Sequence, residues 1–108
     1  MTHRVIFSPE SEEQLTNIYR FIMAATSPQT AERYTDSIID YCESLKTFPH
    51  RGTKRDDIRQ GLRITNYKRN TVIAFSVDET QVNILGIFYG GQNYEASLSP
   101  TSNQDDLQ

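Results

Sequence analysis

Residues 8–48 read SPESEEQLTNIYRFIMAATSPQTAERYTDSIIDYCESLKTF, and this stretch decides the fold. It contains two serine-proline pairs, Ser8-Pro9 and Ser27-Pro28, and each serine can cap a helix whose first turn accepts the proline. After each pair, apolar residues recur at steps of three and four, which is the spacing of one helix face. The pattern predicts helices over about residues 9–25 and 28–47. Because roughly two residues join them, we expect an antiparallel helical hairpin.

Both helices carry one apolar stripe that should face the core. The predicted core residues are Leu15, Ile18, Tyr19 and Ile22 on the first helix, and Ala31, Tyr34, Ile38, Tyr41, Cys42, Leu45 and Phe48 on the second. Acidic residues occupy the opposite side of the second helix. The hairpin therefore needs a second apolar layer to cover it.

Strand patterns on either side of the hairpin supply that layer. Residues 5–7 form a short apolar run, and a polar loop follows the hairpin as far as Gly61. Alternating or continuous apolar runs then predict strands over 62–67, 71–77 and 81–89. The expected fold class is α+β, in which an N-terminal strand, the helical hairpin and a three-stranded antiparallel meander build one small sheet with the helices on one face.

Counting chain reversals gives the strand directions. If every element reverses the chain, the first strand runs antiparallel to the last. In the 62–67 strand, Arg63, Thr65 and Tyr67 should then point away from the helices, to solvent or to a partner. These directions are expectations for the structure to test.

The chain has 108 residues and fits one domain, predicted over residues 1–98, with a polar tail over 99–108. It has no run of about 18 apolar residues and no apolar stretch of the signal-peptide kind at its start, so we expect a cytoplasmic protein without a membrane partner. Cys42 is the only cysteine, which excludes an internal disulfide and predicts a buried helix residue.

Charge is distributed unevenly along the chain. Between Phe48 and Ile73, seven basic residues stand against two acidic ones, a net charge of +5, whereas the rest of the chain carries −8. A basic surface attracts phosphates or an acidic partner, so a nucleic acid and an acidic protein segment are both candidates. The alternative is a solvated strand edge, since edge strands often carry basic residues.

Most catalytic chemistry is excluded by what the sequence lacks. His3 and His50 are the only histidines, and neither has a nucleophile at a recognisable spacing. No metal-ligand spacing and no glycine-rich phosphate loop occurs, and Asp56-Asp57 lies among arginines that can pair with it. We therefore predict no metal, no cofactor and no catalytic residue of these kinds.

One reaction is not excluded: the cleavage of RNA through attack by its own 2′-hydroxyl, which needs no metal. That reaction needs a general base and cations that stabilise the phosphorane. The residues available for it are Arg63, Tyr67, Lys68, Arg69 and Tyr89. Residues 70–108 contain no lysine, arginine or histidine, so a cationic site would have to come from the middle of the chain alone.

Several short motifs, taken in order, resemble those of the RelE/ParE superfamily of type II toxins over about residues 4–98. They are Phe7-Ser8-Pro9-Glu10, Ser27-Pro28, Cys42-Glu43-Ser44-Leu45 with Phe48-Pro49 and Arg51-Gly52, Gly61-Leu62-Arg63, and Ile84-Leu85-Gly86-Ile87-Phe88-Tyr89-Gly90-Gly91-Gln92. The resemblance implies two antiparallel helices against a small sheet. It also implies one of two activities, since RelE-like members cut mRNA in the ribosomal A site and ParE-like members poison DNA gyrase.

The last strand ends Tyr89-Gly90-Gly91-Gln92, without the arginine that the RelE-like branch carries there. The resemblance therefore favours a ParE-like gyrase inhibitor of the plasmid-stabilising kind, neutralised by a cognate antitoxin that wraps around it. A RelE-type endoribonuclease and a non-toxic degenerate member stay open as alternatives, and direct binding of nucleic acid is undecided. The residues predicted to bind the target or the antitoxin are Arg51, Arg55, Arg59, Arg63, Tyr67, Lys68, Arg69, Tyr89, Gln92 and Tyr94.

Overall fold

The computed structural model describes residues 3–99, and it confirms the helical hairpin. Strand β1 (Arg4–Phe7) leads into helix α1 (Pro9–Ala25), and helix α2 (Pro28–Ser44) follows. The side chains of Ser8 and Ser27 accept hydrogen bonds from the backbone N–H groups of Ser11 and Thr30, both at 3.1 Å. Each bond satisfies a donor that the first turn of a helix leaves unpaired.

Helix α2 ends three residues before its predicted end, at Ser44 rather than Thr47. Because the helical spacing does not continue to Phe48, that ring leaves the apolar stripe and is 57% exposed. The other predicted stripe residues on both helices belong to the main core or pack against it.

One five-stranded sheet packs against the hairpin, and the α+β class is confirmed. Its remaining strands are β2 (Thr53–Lys54), β3 (Arg63–Tyr67), β4 (Thr71–Val77) and β5 (Gln81–Tyr89), and a short helix α3 (Tyr94–Leu98) follows. The strand order is β1-β5-β4-β3-β2. Within residues 3–99, no helix is both long and apolar enough to cross a membrane.

The predicted direction of the first strand is wrong. Strand β1 pairs with β5 in parallel, from Arg4 opposite Gln81 to Phe7 opposite Ile84. The reason is β2, which the sequence pattern did not predict and which pairs antiparallel with β3. This extra strand adds one reversal of the chain, so β3, β4 and β5 each run opposite to the expected direction relative to β1.

The sheet buries apolar side chains on both faces. Toward the hairpin, the strands contribute Ile73, Phe75, Val82, Ile84 and Ile87 to the main core. On the other face lies a second cluster, which α3 and the loop before β3 cover with Leu98 and Ile58. The buried residues of this second cluster are Leu62, Ile64, Ala74, Phe88 and Leu98.

The expected outward orientation of Thr65 and Tyr67 is wrong as well. The Thr65 hydroxyl lies 2.9 Å from that of Tyr41 on α2, and the Tyr67 ring contacts the Tyr41 ring. Arg63 alternates with Ile64 along the same strand, so it shares the helix-facing side with Thr65. Because side chains in a strand alternate strictly, the burial of Ile64 under α3 fixes this orientation.

The buried stripe of α2 can be tested with two neighbouring isoleucines. Ile38 is fully buried, so Ile38→Ala should lower the free energy of unfolding by about 2–5 kcal/mol through lost burial and a residual cavity. Ile39 is 36% exposed, so Ile39→Ala should cost less than about 1 kcal/mol. Urea denaturation followed by circular dichroism measures both values. Equal losses would mean that the buried face is misassigned.

The turn that leads into β2 can be tested with two glycines of similar conformation. Gly52 and Gly61 have φ values of +85° and +82°, but a Cβ at Gly52 would meet the carbonyl oxygen of Ile64, whereas nothing lies within 4 Å of one at Gly61. Gly61→Ala should therefore cost about 1 kcal/mol for its backbone conformation alone. Gly52→Ala should cost at least about 2 kcal/mol more, because β2 must shift away from β3. Similar losses in urea denaturation would contradict the β2–β3 pairing.

Candidate functional site

Six aromatic side chains form a continuous row where the hairpin meets the sheet, and we call them the aromatic row. From Phe21 on α1, ring centroids follow at 5.8 Å to Tyr89 on β5, 5.7 Å to Tyr34 on α2, 6.5 Å to Tyr67 on β3 and 4.9 Å to Tyr41 on α2. The row is completed by Phe48, whose ring shares the guanidinium of Arg51 with Tyr41. Its members come from four elements and from the turn after α2, so only the folded chain brings them together.

Two hydrogen bonds hold the middle of the aromatic row in place. The Tyr34 hydroxyl lies 2.6 Å from the hydroxyl of Thr71, and the Tyr41 hydroxyl lies 2.9 Å from that of Thr65. Both threonines are buried, so these bonds also satisfy polar groups that would otherwise be costly. Burial raises the pKa of the Tyr34 hydroxyl above its ordinary value, which makes Tyr34 a poor general base.

Two cations lie over the rings. The Lys68 Nζ is 5.6 Å from the centroid of Tyr34 and 5.4 Å from that of Tyr67. The Arg51 Cζ is 5.4 Å from the centroid of Tyr41 and 5.3 Å from that of Phe48. These distances are typical of cation–π contacts, which fix the position of a charge that remains open to solvent. Lys68 reaches its place through the β3–β4 turn, where its φ of 55° is in the left-handed region.

A pocket lies at each end of the aromatic row. The pocket beside Phe21 and Tyr89 has a volume of about 390 Å³, and the pocket between Phe48 and Arg51 has a volume of about 470 Å³. Gln14 and Gln92 line the first pocket. Their side-chain oxygens accept hydrogen bonds from the backbone N–H groups of Ile87 at 2.7 Å and Tyr89 at 3.1 Å, on the part of β5 that extends beyond β1.

Arg55 is bound within the protein. Its guanidinium makes a bidentate pair with Asp57, at 3.0 and 2.9 Å, and also donates to Glu95 at 2.7 Å and to the Tyr94 hydroxyl at 3.1 Å. These bonds fasten α3 to the loop before β3. The hydrogen bond with Arg55 holds the pKa of Asp57 below its ordinary value, and the pairing with Asp57 and Glu95 raises the pKa of Arg55 further.

Arg63 also has internal partners. Its guanidinium donates to the backbone oxygen of Arg51 at 3.1 Å and to that of His50. It therefore braces the turn that follows α2 and keeps the Arg51 backbone in place. Arg59 and Arg69, by contrast, are exposed and have no side-chain hydrogen bond or ion pair within the described chain.

Comparison with known proteins assigns the family. A family model described as "ParE toxin of type II toxin-antitoxin system, parDE" matches residues 5–94. The chain belongs to the ParE toxin family. A chain from the solved structure described as "Chromosomal ParDE TA system from P. aeruginosa" superimposes with a TM-score of 0.72 at 19% sequence identity, over 82% of this chain and 97% of that one. This similarity shows a shared fold, while no curated protein matches the sequence significantly.

The RelE/ParE resemblance is thus confirmed, and the ParE fold groups the predicted binding residues in three ways. Arg51, Tyr67, Lys68 and Tyr89 join the aromatic row, with Gln92 at its end. Arg55, Arg63 and Tyr94 make internal contacts, and Arg59 and Arg69 have neither a side-chain hydrogen bond nor a cation–π contact within residues 3–99. Their binding roles stay predictions, and not all of these residues lie at the aromatic row.

Sequence reasoning missed Phe21, Tyr34, Tyr41 and Phe48 as site residues of this ParE toxin. Tyr34 and Tyr41 lie seven residues apart on one helix face, and that spacing was assigned to the core. The signal that this assignment overlooked was the pair of hydroxyls, because a tyrosine hydroxyl needs a hydrogen-bond partner and a fully apolar core offers none. Phe21 lies outside the α1 stripe and is 62% exposed.

The thiol of Cys42 is inaccessible in this ParE toxin, and residues 3–99 hold no cluster of metal ligands. Burial raises the pKa of the Cys42 thiol to about 12, and its side chain is fully inside the core. No cluster of three histidine, cysteine, aspartate or glutamate side chains within residues 3–99 could hold a metal ion.

The same substitution at Arg63 and Arg69 tests whether the internal bonds of Arg63 stabilise the protein. Arg63→Gln should lower the free energy of unfolding by about 1–2 kcal/mol, because the turn carbonyls lose a charged donor. Arg69→Gln should change it by less than about 0.5 kcal/mol. Urea denaturation at neutral pH measures both. Equal and small effects would show that the Arg63 bonds do not stabilise the turn.

Proposed function

We propose that this ParE-family toxin acts by binding DNA gyrase, and that a cognate antitoxin neutralises it by covering the same protein surface. The single observation that supports this most is that internal contacts hold four of the basic residues. Arg55 and Arg63 are committed to internal bonds, and Arg51 and Lys68 lie on aromatic rings. What the chain offers is an aromatic surface suited to a protein partner.

Cleavage of RNA would need a different arrangement of these residues. A general base must reach the 2′-hydroxyl while cations meet the phosphorane oxygens. The hydroxyls of Tyr34 and Tyr41 already bond to threonines, and burial raises the pKa of Tyr34. No basic residue follows Arg69 to close a site from the β5 side. The ribosome-dependent endoribonuclease is accordingly the less supported function.

The aromatic row has the composition of a protein interface. Tyrosine, phenylalanine and arginine are enriched where proteins bind each other, whereas lysine, glutamate and aspartate are depleted there. Phe21 and Phe48 stand at the two ends of the row, and they are 62% and 57% exposed to solvent. Gyrase and antitoxin are the partners that the ParE family implies for such a surface.

Purified toxin should inhibit supercoiling of relaxed plasmid by DNA gyrase and should leave mRNA intact in a translation extract. Both assays use the same protein preparation, and primer extension on ribosome-bound mRNA reports any cleavage in the A site. Addition of the cognate antitoxin should restore supercoiling, which controls for non-specific inhibition.

Two results would contradict the proposal. Site-specific mRNA cleavage that antitoxin suppresses would assign the protein to endoribonucleases. Folded toxin that neither inhibits gyrase nor cleaves mRNA, but still binds antitoxin, would identify a non-toxic member kept as a binding module.

A further inference from the structure

We propose that the aromatic row, with its two end pockets, binds a partner segment in which carboxylates alternate with bulky apolar side chains. The inference deepens the proposed function, on which it rests, by stating the chemistry of the protein segment that this surface accepts. It selects among the many basic residues of the chain the two that meet the ligand, Lys68 and Arg51.

The charge lining this surface has one sign. The chain holds 14 acidic residues against 11 lysines and arginines, yet no aspartate or glutamate of the described residues lines either end pocket. Among residues 3–99, the cations that lie over the rings are Lys68 and Arg51. A carboxylate that approaches either cation meets an attractive field without a competing internal ion pair.

The polar groups of the first pocket also favour a ligand that accepts hydrogen bonds. Gln14 and Gln92 each use the side-chain oxygen to accept a backbone N–H. The amide NH₂ group of each glutamine makes no hydrogen bond within residues 3–99, so both are donors available to a ligand. The pocket therefore combines N–H donors with the apolar surfaces of Ile18, Phe21 and Tyr89. Such a pocket suits a ligand in which an apolar side chain lies next to a carboxylate or carbonyl group.

The dimensions suit a short segment with an apolar residue at each end. The ring-to-ring steps of 5.8, 5.7, 6.5 and 4.9 Å give a contour of about 23 Å, which is the upper limit of the distance from Phe21 to Tyr41, and the pocket at Phe48 lies beyond Tyr41. An extended chain covers that length with about seven residues and a helix with about fifteen. Anchors in pockets surrounded by exposed aromatic rings are the usual hot spots of such an interface.

A single-stranded nucleic acid would use the row differently. Bases bind by stacking on open ring faces. Here Lys68 and Arg51 already lie over four of the six rings, and edge contacts join Phe21 and Tyr34 to Tyr89. Few ring faces are free for bases, so the structure favours the acidic protein segment.

The test uses a synthetic peptide of about fifteen residues in which glutamate alternates with leucine and phenylalanine. Comparison ligands are the same peptide with lysine in place of glutamate, and oligothymidylate. Binding to the full-length toxin is followed by tyrosine fluorescence, since the toxin has six tyrosines and no tryptophan and the peptides contain neither. The acidic peptide should bind, and its affinity should fall as salt rises.

A charge-matched pair of double variants locates the site. Lys68→Gln with Arg51→Gln should weaken binding of the acidic peptide about tenfold. Lys54→Gln with Arg33→Gln removes the same two residue types from exposed positions that contact no ring, and should weaken binding less than about twofold. Phe21→Ala should also weaken binding about fivefold or more, whereas Met23→Ala, on the same helix and 39% exposed, should not. Thermal denaturation confirms that each variant is folded.

Three results would overturn the inference: equal binding of the lysine peptide, equal losses in the two double variants, and tighter binding of oligothymidylate through Lys68 and Arg51. Failure of the proposed function is a separate result. Toxin that inhibits gyrase but does not bind the acidic peptide would overturn this inference alone.

Discussion

Strand β4 must be covered on both faces, and much of the architecture depends on that constraint. Ile73 and Phe75 are fully buried against the hairpin, while Ala74 between them is fully buried on the opposite side. A strand that is apolar on both faces is stable only between two layers. The hairpin supplies one layer. The loop before β3 and α3 supply the other, and Arg55 fastens that loop to α3 through Glu95 and Tyr94.

The parts of this fold that are visible in the sequence are those with local causes. The helices follow from Ser8-Pro9, Ser27-Pro28 and a repeat of three and four, all of which act within a few residues. Strand β2 has no such signal, because Thr53 and Lys54 are exposed and their pairing partners lie about ten residues away. Missing this one strand was enough to reverse the predicted direction of β1 relative to β5, since each strand reverses the chain once.

The candidate site shows why charge counting locates a functional surface only coarsely. A count of +5 over one segment treats every cation alike, but the fold assigns Arg55 to an acidic pair, Arg63 to backbone oxygens and Lys68 to aromatic rings. These assignments depend on residues far away in sequence, such as Glu95 for Arg55. Helical spacing marked Tyr34 and Tyr41 correctly as facing the sheet, yet it could not show that they lie at the margin of the core.

The same contacts that stabilise the margin also prepare it for a partner. A free lysine loses about 2 kcal/mol of side-chain entropy when a contact fixes it, and the rings of Tyr34 and Tyr67 already restrict Lys68 before anything binds. Tyr34 and Tyr41 are themselves fixed by buried threonines on β4 and β3. A flexible basic loop would lose this side-chain entropy when it binds a partner, whereas these side chains lose it when the chain folds. Arg69 is next in the chain but lacks such contacts, so its side chain would still lose entropy on binding. Its proximity to Lys68 in sequence therefore does not give it the same role.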